Sequence, residues 1–342
     1  MIVAGLKAAG TLLLPFLVAL FLTTLSAPPV LWLERRRVPA WLAVTVVMVL
    51  LIAVVTAFGA LLTTAMSGFN AALPGYQTAL TEHSDRLLGW MRSLPFDPLQ
   101  GRAYDSLDPN ELFGLIGSLV GSVVAALSNT ALVILTTVFL LLEVAGFPRK
   151  LRIALRDPLA DLGPYGGAVK EVQRYLLIKT LVSLATGAGI AGWLWLLGVD
   201  FPLLWGIVAF MLNYIPNVGS IVAAVPTMLV ALVQPGQGIG TALGVGAGYL
   251  AVNMVLGNLV EPQLMGRRLG LSPLVVFSSL VFWGWVWGTF GMLLSVPLTV
   301  GVRIFLERHD DTKHIAVLLG PTPPEPKAET SEADAGPPSS AQ

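Results

Sequence analysis

Five stretches of this chain, about residues 7–25, 38–66, 109–145, 175–197 and 238–259, carry apolar runs long enough to cross a bilayer, which takes about 20 residues of helix. In hydrocarbon every backbone N–H and C=O needs a partner inside the protein, so a spanning segment of this length folds as an α-helix. The chain is therefore expected to be all-α and polytopic, with the lipid bilayer as its first partner. Composition agrees, since only 12% of residues are charged, against roughly a quarter in soluble domains. A formal net charge of zero gives no footprint for a nucleic acid. The absence of cysteine excludes disulfides, thiolate metal sites and a thiol nucleophile. The first apolar run lacks a small-residue cleavage pattern and reads as an anchor that stays.

Two further apolar runs are interrupted. Residues 201–234 are broken at "NYIPNVG", where Asn213, Tyr214, Pro216, Asn217, Gly219 and Ser220 fall together. Residues 274–306 are broken at "WGTFG", which contains Trp287, Gly288 and Gly291. Proline removes a backbone donor and glycine favours turn geometry, so a continuous helix is expected to fail at both places. Charge decides what the breaks are. Cytoplasmic loops collect Lys and Arg. The basic loops are 34–37, 149–174, 267–268 and 303–313, whereas 67–113 holds three arginines against six acids and belongs outside. The span 175–197 then exits outside. A single crossing over 201–234 would put Arg267 and Arg268 outside; a hairpin keeps them inside. The same logic makes 274–305 a second hairpin entering from the opposite face, with the C-terminus cytoplasmic. Opposed re-entrant hairpins are the pattern of an inverted-repeat transporter.

The remaining organisation follows. Residues 1–66 hold the N-terminal spans. The segment 67–113 is extramembrane and amphipathic, with Tyr76, Leu80, Leu87, Met91 and Leu94 at helical spacing. Residues 114–174 carry a long span and a basic connection; the long helix is expected to start near Pro109, capped by Asp108, and to run to Ala145. Residues 175–306 form the transport core, 307–320 the cytoplasmic end, and 321–342 a Pro- and acid-rich tail expected to be disordered.

Two polar constellations stand inside the apolar core. At the first break, Asn213 and Asn217 either cap two short helices or contact a small polar solute. In "NMVLGNLVEPQLMG", Asn253, Asn258 and Glu261 share the end of one helix, which Pro262 is expected to end. Glu261 is the leading intramembrane acid: it either couples transport to a proton or cation, or pairs with Arg267 or Arg268 at the interface. Glu143 and Lys179 read as interfacial, and the tryptophans around Trp287 as packing. His83, His309 and His314 lie outside the spans, and no HExxH, Walker A loop or nucleophile elbow is present. The sequence thus points away from an enzyme and implies no cofactor or metal.

The stretches "LLWGIVAFMLNYIPNVGSIVAAVP" and "GNLVEPQLMGRRLGLSPLVVFSSLVFWGWVWGTFGMLLSVPLTV" closely resemble the autoinducer-2 exporter family of bacterial membrane proteins. "PFLVALFL", "RRRVPAWLAV", "LDPNEL", "LLLEV" and "IAVLLG" extend the resemblance over about residues 5–320. It implies a secondary transporter of the bacterial inner membrane, assembled as a homo-oligomer, whose hairpins move against a scaffold in alternating access. Relatives look like exporters of the furanone signal or cation/proton antiporters, so export of a small polar signal and antiport both stand as expectations, beside a non-transporting scaffold. Asn213, Pro216, Asn217, Gly219, Asn258, Glu261, Pro262, Gly266 and Pro273 match the family pattern. Leu256 does not, since many relatives carry an acid there, and this weakens cation coupling through that position. Relatives usually carry another apolar helix before "PFLVALFL"; either a shortened form or a start upstream is expected here.

Overall fold

The computed structural model describes residues 2–92, 130–154, 163–216, 218–265, 271–307 and 312–320, with Gly114, Gly117, Ser118 and Gly121 between them. The regular elements among these are α1 (Ile2–Ala8), α2 (Gly10–Arg35), α3 (Ala40–Arg92), α4 (Thr130–Ala154), α5 (Gly163–Leu196), α6 (Pro202–Leu212), α7 (Val218–Val233), α8 (Ile239–Val252), a π-helical segment (Asn253–Val260), α9 (Glu261–Met265), α10 (Pro273–Glu307) and α11 (Lys313–Leu319). The start expected at Pro109, the amphipathic side chains from Leu80 to Leu94, Asn217, Gly266, Arg267, Arg268 and the tail beyond 320 lie outside the described residues. Among the described residues five helices are long and apolar enough to cross a membrane: Gly10–Arg35, Ala40–Ala79, Lys170–Leu196, Ile239–Met265 and Pro273–Glu307. The protein is a polytopic all-α membrane protein.

The interrupted run at 201–234 folds back on itself. The backbone N–H of Asp200, before α6, donates to Oε1 of Gln234, after α7, at 2.9 Å, and Gln234 Nε2 returns a 2.9 Å bond to the Gly198 carbonyl. A single crossing would hold these residues a membrane's width apart. Pro202 suits the first turn of α6, where its missing N–H would be unpaired anyway. At the other end α6 stops at Asn213, and the chain turns through Ile215 and Pro216. Gly219 allows the return. A Cβ there would meet the Leu212 carbonyl and stand 2.6 Å from its carbon, so only glycine lets the arms come this close.

The run 273–307 is two helices that meet at Trp287 (φ −129°) and Gly288 (φ 63°, ψ −145°), where the backbone is not helical. The latter conformation is open mainly to glycine. Trp283 Nε1 reaches Thr299 Oγ1 at 3.1 Å. In a straight helix sixteen residues would separate them by about 24 Å. Gly291 repeats the device of Gly219, since a Cβ there would meet the Trp283 carbonyl. α10 qualifies as a span by length, yet it is a hairpin.

Helix α5 serves as a ruler for both hairpins. The first has its base beside Leu197 and Gly198, at one end of α5, and its tip beside Thr180 and Ser183. The second has Val276, Val296, Val300 and Ile304 packed with Val172, Tyr175 and Leu176, toward the other end of α5. They enter from opposite ends.

The main core surrounds α6. Leu204, Trp205 and Val208 have no exposed surface, and Phe69 of α3 meets Trp205 edge to face at 5.7 Å. Glycines Gly187 and Gly206 face each other across α5 and α6, where a Cβ on Gly187 would stand 2.6 Å from the Gly206 carbonyl. This closeness keeps the re-entrant arm flush against the full-length helix.

Three expected helix ends move. α3 does not stop near Met66; it is one helix through Arg92. Phe69 and Tyr76, two turns apart and on one face, are both buried in the core, so packing carries the helix through Pro74. α4 continues past Ala145 and Pro148 to Ala154, with Glu143 and Lys150 paired at 2.7 Å on its exposed side. Pro262 does not end its helix. The chain passes into π geometry at Asn253, and the Glu261 N–H bonds the Leu256 carbonyl five residues back. Such a change of register leaves backbone groups out of step, and a residue without an N–H is tolerated just after it.

Candidate functional site: a polar stripe on α5

Within the apolar span Lys170–Leu196, Tyr175, Lys179 and Ser183 recur every fourth residue, with Thr180 beside them. Four-residue spacing places side chains above one another on one helix face. Ser183 stands thirteen residues from either end of this span, about 20 Å along the axis. The stripe therefore runs from near one end of the span at Tyr175 to its middle at Ser183, and in the apolar middle each polar group needs a partner.

The hairpin tip supplies two partners. Asn213 Nδ2 donates to Ser183 Oγ at 2.9 Å, and Tyr214 OH donates to Thr180 Oγ1 at 2.8 Å. Both tip residues are 7% exposed. The Tyr214 ring is wedged edge-on between Phe21 of α2, at 5.9 Å, and Phe210 of α6, at 5.8 Å. The first tip is thus docked on α5 through side chains, and Asn213 neither caps its own helix with its amide nitrogen nor faces outward.

Helix α9, whose first residue Glu261 follows directly on the π-helical segment, supplies the third partner. Lys179 Nζ lies 2.8 Å from Glu261 Oε1 and 3.0 Å from Oε2, so both carboxylate oxygens hold one ammonium. Lys179 is 4% exposed. This corrects one expectation, since Lys179 is not interfacial but buried. Glu261 takes a cation from α5, while its expected partners Arg267 and Arg268 lie outside the described residues. A charge at this depth is tolerated only with an opposite charge against it. The buried Tyr175 lies within electrostatic reach of Glu261 and Tyr214 and closes the cluster.

The other expected residues stand apart from this cluster. Asn253 is half-buried, its Oδ1 lying over Gly257, where a Cβ would come within 2.8 Å. Asn258 and Pro262 are exposed. Pro216 and Ser220 are half-buried at the turn, and Gly219 is buried within it. Trp287, at the second tip, stacks on Trp283 at 5.0 Å and donates to the Leu6 carbonyl at 2.9 Å. The second tip therefore docks on α1, not on the stripe that receives the first.

Sequence reasoning missed Tyr175, Thr180 and Ser183. Their signal was present as polar residues at helical spacing in an apolar run, but isolated hydroxyls in membrane helices usually bond their own backbone. Thr180 does this too, donating to the Leu176 carbonyl at 2.7 Å, which leaves its oxygen free to accept from Tyr214.

The profile of the AI-2E family transporters matches residues 1–310 of this sequence. The chain belongs to the AI-2E transporter family. Among AI-2E relatives, the AI-2 transport protein TqsA of Escherichia coli K12 is 39% identical over 318 residues, covering 93% of this chain and 92% of TqsA. The E. coli protein YhhT is 38% identical over 323 residues, covering 94% and 92%. A relative from Mycobacterium tuberculosis is 30% identical over 329 residues, covering 91% and 84%. The AI-2E assignment makes this chain a membrane transporter, and the resemblance first carried by the hairpin motifs holds over nearly its whole length.

Proposed function

We propose that this protein is a secondary transporter that exports a small polar signalling molecule, autoinducer-2 or a furanone of the same chemistry, by alternating access. The carrying observation is the convergence of Asn213 and Tyr214, from a hairpin tip, and Glu261, at the start of α9, on one buried polar stripe of α5. Hydroxyl, amide and phenol groups at mid-depth offer a polyhydroxylated solute the hydrogen bonds it surrenders on leaving water. Those groups are now paired with each other. Movement of the first hairpin along α5 exchanges these internal bonds for bonds to solute, which is what alternating access requires. The transport core is residues 175–306. The protein works as a homo-oligomer in the bacterial inner membrane, with the C-terminus cytoplasmic.

A cation/proton antiporter is the weaker reading. It calls for a free titrating acid at this depth, and the Glu261 carboxylate already holds the Lys179 ammonium. Inside-out vesicles test both together, with uptake of labelled autoinducer-2 and Na+/H+ exchange measured in parallel. Wild-type vesicles are expected to accumulate autoinducer-2. Asn213→Ala and Ser183→Ala are expected to lower the initial rate by roughly tenfold, the effect of about 1.4 kcal/mol on a barrier. Unchanged uptake in both variants removes the stripe from the transport path, and exchange without autoinducer-2 uptake replaces the proposal with antiport.

A further inference from the structure

We propose that Lys179 is a tethered cation that permanently fills a cation site built around Glu261, so that this chain's transport cycle runs without a free metal cation. The inference rests on Glu261 belonging to the transport site, and it names how that site is held electrically neutral. Three observations carry it. Lys179 Nζ sits between both carboxylate oxygens, at 2.8 and 3.0 Å, as a bound cation would. The Glu261 side chain is 17% exposed and that of Lys179 only 5%, and among the described residues Lys179 is the cation paired with this carboxylate. The pair also joins a regular span to the residue that directly follows a π-helical segment, and π geometry recurs at functional positions in helices.

The surroundings are suited to a small hard cation once the ammonium is removed. Tyr175 lies within electrostatic reach of the carboxylate, while Thr180 and Ser183 follow Lys179 along the stripe. Side chains that offer only oxygen suit alkali and alkaline-earth ions, whereas the thiolates and imidazoles favoured by transition metals are missing among these residues. Arg174, the residue before Tyr175, donates from its guanidinium to the Leu264 carbonyl at 3.4 Å. An uncompensated buried carboxylate is unstable, so deleting the tethered charge should make the site recruit a counter-ion from solution.

The test is the melting temperature of the purified full-length protein at fixed pH and ionic strength, with Na+ or Li+ replacing choline. Wild type should show no saturable Na+ shift. Lys179→Met, which keeps the side-chain volume and deletes the charge, should gain one: a rise of about 2–4 °C at roughly five times the apparent Kd. Lys179→Met combined with Glu261→Gln should lose that rise. Where Lys179→Met does not accumulate, Lys179→Gln, whose amide still donates to the carboxylate, is read the same way. Equilibrium binding of radiolabelled Na+ should follow the melting data. A saturable Na+ shift in wild type that Glu261→Gln abolishes overturns the proposal, as does a Lys179 variant indifferent to Na+. Neither readout passes through transport, so failure of autoinducer-2 export and failure of the tethered cation remain distinguishable.

Discussion

Placing alanine at Gly219 tests how tightly the first hairpin is closed. A Cβ there would lie 2.6 Å from the Leu212 carbonyl carbon, and ordinary contact begins near 3.4 Å, so the arms must part by at least 0.8 Å. The obstacle is backbone on both sides, and no side chain can swing away. Overpacking of this kind typically costs about 1–3 kcal/mol. At about 2–4 °C per kcal/mol the melting temperature should fall by roughly 2–12 °C. Parting the arms also displaces Asn213 and Tyr214 from Ser183 and Thr180, so export should fall with stability. Gly291→Ala should behave alike, because a Cβ there stands 2.6 Å from the Trp283 carbonyl carbon. Gly192→Ala is the control: it lies within α5 near its last turn, a Cβ would meet nothing within 4 Å, and alanine there should be neutral or stabilising. Melting curves in detergent decide the matter. If Gly219→Ala and Gly291→Ala melt with Gly192→Ala, the arms are not in contact and the hairpin geometry is refuted.

Two further predictions bear on the frame around the site. Tyr76 OH donates to Asp200 Oδ2 at 2.6 Å, tying α3 to the base of the first hairpin; Tyr76→Phe should remove about 1.5–3 kcal/mol, and adding Asp200→Asn should change little more. The cysteine-free chain also permits single-cysteine labelling, in which Arg36→Cys and Pro235→Cys, both exposed, should react from opposite faces of sealed vesicles; reaction from one face would make 201–234 a simple span.

The fold class was legible because hydrocarbon leaves a backbone few options: a long apolar run must be helical, and a Pro–Gly interruption within it must turn or be buried. Arg267 and Arg268 made the first interruption a hairpin by a charge argument that needs no coordinates. Helix ends were less legible. Phe69 and Tyr76 look like ordinary residues of a polar stretch until they are seen packed into the core, and Pro262 looks like a stop until the π register before it is known.

The site divides in the same way. Sequence by itself determined the chemistry available, namely an acid, asparagines and a break inside an oily chain, because residue type and depth follow from composition and spacing. Only the tertiary structure decided who meets whom. Glu261 faces Lys179 across 82 residues of chain, and Asn213 faces Ser183 across 30. Those choices depend on how closely α5 approaches its neighbours, which glycines at 187 and 206 set through contact and not through any local propensity. Partner choice for a buried charge is settled by a few ångströms of helix packing, and that distance is written in no single stretch of the chain.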